Sequence, residues 1–111
     1  MIKNLNNIEE LALRDFIVKV SERFKNNYLY SLMFGSKARG DAHEGSDLDV
    51  AVVLEHVDFE TKCTIYAIAY DELLENGVDI SPVIFAKNVF EHQKAARFPL
   101  LREIERDMVA L

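Results

Sequence analysis

YLYSLMFGSKARGDAHEGSDLDVAVVL, residues 28–54, sets two apolar runs on either side of a turn that holds three of the four glycines in the chain. The first run, YLYSLMF (28–34), is rich in aromatic and aliphatic residues and stops abruptly at Gly35, which predicts a buried strand. The second, DLDVAVVL (47–54), places β-branched residues after two acids and predicts a second strand. Between them, Ser36 to Asp41 predicts a short helix and Asp41 to Ser46 a loop. Gly35 permits a tight turn with close approach to the backbone. The free N–H groups that follow it, with the Ser36 hydroxyl, form a natural phosphate cradle, and Lys37 and Arg39 add positive charge beside it. On a strand, Asp47 and Asp49 stand at i and i+2, so both carboxylates share one face while Leu48 points to the other. Two like charges that close need a cation, and oxygen-only ligands select Mg²⁺ or Mn²⁺.

Outward from this stretch the pattern alternates. Ile8, Leu11, Ala12, Phe16, Val20 and Phe24 fall on one stripe and predict a helix over 8–25, capped by Asn6 or Asn7 and stopped near Asn26-Asn27. Residues 58–75 predict another helix, with Phe59, Cys63, Tyr66, Ile68, Ala69, Leu73 and Leu74 as its apolar face and Gly77 as its stop. VDISPVIF (78–85) predicts a third strand, and Pro82 marks it as an edge. A turn of helix is expected around 87–95. A final helix is expected from Pro99 to about Val109, where Phe98, Leu101, Ile104 and Met108 form a stripe that Leu100 and Leu111 widen; it is expected to pack on the sheet, and any part of it left exposed would offer a docking site to a helical partner. The order implies a small α/β (α+β) domain over residues 1–111, with helices flanking one small mixed sheet. Asp79 is a third acid in an otherwise apolar strand. If that strand neighbours the second, three carboxylates converge, able to hold two metal ions that clamp an in-line displacement at phosphorus. Asp79 is then the natural proton acceptor for an incoming hydroxyl.

Composition narrows the classes. Thirteen Lys and Arg against nineteen Asp and Glu give a net charge of −6, which argues against a domain that grips nucleic acid by neutralising phosphates. No apolar run approaches the roughly 20 residues of a membrane span. The first residues lack the apolar block of a secretion signal. Cys63 is the single cysteine, which suits a reducing cytoplasm. His43, His56 and His92 show no metal-ligand spacing. His43 and Glu44 are expected as exposed loop residues, Tyr66 and Tyr70 as a packed pair. Glu9-Glu10 and Glu103-Glu105-Asp107 are expected as solvated helix faces.

GSKARGDAHEGSDLDVAVVL resembles the signature of the nucleotidyltransferase superfamily of the DNA polymerase beta type. More narrowly, it resembles the minimal nucleotidyltransferase (MNT) family, including antitoxins paired with HEPN-domain toxins. The resemblance runs from about Tyr28 to Phe85 and is tight over residues 34–54. It carries Gly-Ser-x-Ala-Arg-Gly, a short loop and Ser-Asp-hydrophobic-Asp, with the third acid at Asp79. It implies that Ser36 contacts a nucleoside triphosphate, with Gly35, Lys37 and Arg39 in the same binding motif, and that Asp47, Asp49 and Asp79 form the metal-binding catalytic site. Arg39 reads equally as a clamp on the loop. The implied activity is Mg²⁺-dependent transfer of AMP from ATP to a tyrosine hydroxyl of a HEPN toxin. Two alternatives stand beside it: an antitoxin acting by contact alone, and a nucleotidyltransferase for a small aminoglycoside-type acceptor, with a homo-oligomer completing the acceptor site.

Overall fold

The computed structural model describes residues 2–43 and 45–111. In chain order the elements are α1 (Asn7–Arg23), β1 (Tyr28–Phe34), α2 (Gly35–Arg39), β2 (Leu48–Leu54), α3 (Phe59–Asn76), β3 (Ile80–Ala86), α4 (Lys87–Ala95), α5 (Pro99–Asp107) and β4 (Val109–Ala110). The sheet order is β3-β2-β1-β4. β1 runs antiparallel to β2 and β4, whereas β2 and β3 are parallel and joined through α3. Pro82 does lie on an edge strand.

β2 is interior, which explains its nearly unbroken apolar run: both of its faces are covered. Leu48, Val50, Val52 and Leu54 pack with Ala12, Leu13, Phe16 and Val20 of α1 and with Ile65 and Ala69 of α3. Ala51 and Val53 face the other way, into a cluster with Phe34, Phe85, Phe90, Leu101 and Ile104. Helices α1 and α3 thus cover one face of the sheet and α4 and α5 the other. Asn6 caps α1 in a capping box with Glu9, Asp58 caps α3 through Thr61, and Gly77 ends α3 in the left-handed conformation at φ 68°.

Several expected faces differ. In α1, Ile8 and Leu11 are exposed while Leu13 is fully buried; Leu11 and Leu13 flank Ala12 by about 100° on either side, and the sheet contact takes the Leu13 side. In α3 the buried line is Thr61, Ile65, Ala69 and Glu72. Phe59, Cys63, Tyr66, Tyr70, Leu73 and Leu74 are exposed, so Tyr66 and Tyr70 face solvent rather than packing in the interior. The physical reason is that the packed side carries a threonine bound to the Asp58 cap and an ion-paired glutamate, which a hydropathy stripe assigns to water. In α5, Leu101 and Ile104 pack inward, but Phe98, Leu100 and Met108 stay exposed. The helix stops at Asp107 because the chain turns into β4, a two-residue strand too short to leave a periodic signal.

Candidate active site

Strand pairing assembles the acids. The parallel register Leu48↔Ile80 brings the residues just ahead of β2 and β3, Asp47 and Asp79, alongside each other. The Leu48 N–H donates to the Asp79 carbonyl at 2.9 Å. Both acids precede their strands instead of beginning them, and both are exposed. The antiparallel register Phe34↔Asp49 sets half-buried Asp49 beside the turn into α2. There Gly35, at φ 79°, lies directly under the Asp49 carboxyl group. Asp47, Asp49, Asp79 and the Gly35-Ser36 turn therefore meet at one end of the sheet.

The carboxylates strain against one another. Burial raises the proton affinity of Asp49 above the usual carboxylate value; the charges of Asp47 and Glu103 raise it further, and Arg39 partly offsets them. Asp79 is raised first by burial and then by the charge of Asp47 and a hydrogen bond with it. This donor set, oxygen-only and short of positive charge, fits a hard divalent cation such as Mg²⁺, which is commonly bound by one or two carboxylates completed by substrate phosphates. Glu103 of α5, expected on a solvated helix face, instead acts on Asp49 by its charge; only tertiary packing brings α5 near the motif, so no sequence spacing marks it.

A tighter acidic group lies elsewhere. Asp15, Glu72 and Glu75 bring carboxylate oxygens within 4.8 Å of one another, which the three acids at the sheet end do not match among the described residues. Lys19 stands among them, its Nζ 3.0 Å from Asp15, 3.5 Å from Glu72 and 3.9 Å from Glu75. A built-in ammonium already occupies the place of a cation there, so the group reads as an ion cluster joining α1 to α3.

The basic residues of the motif are engaged internally. Lys37 pairs with Glu9, and both side chains are mostly buried. They line a cavity of about 240 Å³ together with Asn6, Ser46, Asn76 and Asp79. Arg39 donates through Nη1 to Asp107 Oδ2 at 2.7 Å and through Nε to Asp41 Oδ2 at 3.1 Å. Glu9 and Asp107 are therefore counter-charges of the motif rather than members of solvated helix faces. Ser36 is half-buried at the start of α2. His43 is exposed, its N–H donating to Ser46 Oγ; Glu44 lies outside the described residues.

Among the described residues no helix is long and apolar enough to cross a membrane. The chain is 30% identical over 82 residues to MJ0604 of Methanocaldococcus jannaschii, named as a protein adenylyltransferase; the match covers 74% of this chain and 78% of that one. It is 33% identical to a second such protein of the same organism, MJ1305, over 74% of this chain and 55% of the relative. Among solved structures, a toxin-antitoxin crystallised with AMP-PNP superposes with a TM-score of 0.60 at 18% identity, over 86% of this chain and 68% of that one. At that identity the likeness concerns the fold. Residues 17–104 match the family described as polymerase beta, nucleotidyltransferase. With its mixed sheet and its paired acids at the end of the strands, the chain belongs to the polymerase beta-type nucleotidyltransferase family.

Proposed function

We propose that this protein transfers AMP from ATP to a hydroxyl group of a partner protein, and that it acts in the cytoplasm as the antitoxin of a HEPN toxin. The observation that carries the proposal is the meeting of Asp47, Asp49 and Asp79 beside the Gly35-Ser36 turn. Its relatives' name as protein adenylyltransferases supports the acceptor class, and the resemblance to MNT antitoxins supports the partner.

In this reading the Ser36 hydroxyl and the N–H groups after Gly35 hold the triphosphate, and Asp47, Asp49 and Asp79 hold Mg²⁺. The metal, when bound, would supply positive charge to offset the negative charge that develops on the phosphate oxygens. Lys37 and Arg39 add positive charge at the motif while they stay anchored to Glu9, Asp41 and Asp107. The acceptor hydroxyl oxygen forms a bond to the α-phosphorus as the bond from that phosphorus to the β-phosphate oxygen breaks. Pyrophosphate leaves with the bonding pair, and the hydroxyl proton passes to the Asp79 carboxylate, which is exposed to an incoming group. This domain offers little surface for an acceptor pocket, which supports an acceptor supplied from outside it.

The test is incubation with ATP, Mg²⁺ and a HEPN protein, followed by intact-mass analysis of the partner. Added mass in whole AMP units is the expected result. Binding without added mass replaces the enzyme with a contact-only antitoxin. Absence of binding, with transfer to an aminoglycoside, replaces the protein acceptor with a small molecule.

A further inference from the structure

The C-terminal segment is fastened to the glycine-rich motif at two points. β4 pairs with β1 at Leu32↔Ala110 and Met33↔Val109, immediately ahead of the turn at Gly35. Two residues before β4 begins, Asp107 ends α5 with a side chain only 3% exposed. Its Oδ1 accepts from Arg106 Nε at 2.9 Å; its Oδ2 accepts from Arg106 Nη2 at 3.0 Å and from Arg39 Nη1 at 2.7 Å. Arg106 is the neighbouring residue of the same helix, so the bond of this carboxylate that joins α5 to another element is the one to Arg39.

Arg39 is the last residue of α2, a helix of five residues that is far too short to persist unaided. The Gly35 end of α2 is held beneath Asp49. The Arg39 end is held by Asp107 and, across the following turn, by Asp41. We infer that Asp107 is a positioning residue for the nucleotide site: through the Arg39 guanidinium it keeps α2, and with it Ser36, in register with Asp49. Both bonds to Arg39 are charge-assisted, the stronger class of hydrogen bond. Arg39 also lies within electrostatic reach of Asp49, so fixing its guanidinium fixes a counter-charge for the acids. Asp107 lies outside the residues, 17–104, that match the family. The clamp is accordingly supplied by the part of the chain that the family match does not reach. The nucleotide half of this inference rests on the function proposed above, whereas the clamp on α2 does not.

Hydrogen exchange of the nucleotide-free protein separates the two. In Asp107→Asn, amides of residues 35–43 are expected to exchange about tenfold faster, in line with the loss of a charged hydrogen bond, while amides of α3 are unchanged. Asp107→Glu should restore part of the protection. The double variant Arg39→Gln/Asp107→Asn should exchange no faster than Arg39→Gln alone, because both remove one interaction. Unchanged exchange at 35–43, uniform acceleration throughout the chain, or additive effects would each overturn the clamp. If Asp107→Asn fails to fold, Arg39→Lys, which keeps the charge but loses the planar fork, carries the same comparison. Calorimetry with Mg·ATP then reads the second half, where Asp107→Asn is expected to weaken binding about tenfold. Wild-type protein that binds no ATP defeats the proposed function and leaves the exchange result standing. Equal ATP affinity in wild type and in a variant with a loosened 35–43 segment overturns the link to the nucleotide site.

Discussion

The Asp49 carboxyl group covers the Cα of Gly35. A methyl group built on that glycine would stand 3.2 Å from Asp49 Cγ and would overlap Oδ2 outright. The glycine of the turn and the acid of the neighbouring strand therefore form one feature: the absent side chain makes the space in which the carboxylate sits. The register Phe34↔Asp49 brings them together.

Gly35→Ala is expected to cost stability and binding together. The φ of 79° is unfavourable for an L-residue by about 1–2 kcal/mol, and the clash adds to it. The melting temperature should fall by at least about 5 °C for a domain of this size, and Mg·ATP binding in calorimetry should be lost. Full ATP affinity in a folded Gly35→Ala protein would show that the Asp49 carboxylate need not occupy this place.

Asp49→Asn and Asp79→Asn should each stabilise the nucleotide-free protein at neutral pH while abolishing transfer. Both acids hold protons more tightly when folded than the ordinary value of 3.8, so the wild type loses stability as pH rises through and above that value. An amide removes this penalty. Melts of wild type and variants should converge near pH 3 and separate by a few degrees at pH 7. A variant less stable than wild type at pH 7 would contradict the repulsion.

Lys19→Met addresses the cluster between α1 and α3. Glu72 is fully buried, and its Oε2 has the Lys19 ammonium as its counter-charge. Its proton affinity is raised chiefly by burial, with Asp15 adding to it. Removing the lysine should cost about 2 kcal/mol at pH 8, below the range for a fully buried pair because Lys19 is itself partly exposed. The cost should shrink as the pH falls through the raised value of Glu72 and the carboxyl takes up a proton. Denaturant melts at pH 5 and pH 8 measure this, and a cost independent of pH would remove Glu72 as its cause.

Divalent metal should distinguish the two acidic groups. Mn²⁺ is expected to raise the melting temperature of the wild type, to have little effect on Asp47→Asn/Asp49→Asn, and to act fully on Glu75→Gln. The reverse pattern would move the cation to Asp15, Glu72 and Glu75 and would mean that Lys19 swings aside to admit it.

The Gly-Ser turn and the Asp-x-Asp pair are local features, and most of what surrounds them was legible for that reason. Strands β1 and β2, the short helix between them, the Asn6 and Asp58 ends of the long helices and the stop at Gly77 each depend on neighbours a few residues away. Faces were less legible. On α3 the exposed stripe is more apolar than the buried one, because burial there is decided by partners: Glu72 is admitted to the interior by Lys19 of another helix and by Asn76 one turn on.

From the sequence alone came the order of the helices and of β1 to β3, Pro82 at the sheet edge, and the Gly-Ser and Asp-x-Asp patterns to which the proposed function assigns phosphate and metal. These follow from periodicity and side-chain chemistry, both of which are written along the chain. Tertiary structure alone decided that Asp79 lies beside Asp47, since this depends on the parallel register of two strands separated by α3. It alone decided that Lys37 and Arg39 are held by Glu9 and Asp107, residues 28 and 68 positions away. Long-range ion pairing leaves no spacing to read, because a charge is satisfied by whichever opposite charge the packing of the helices brings within reach.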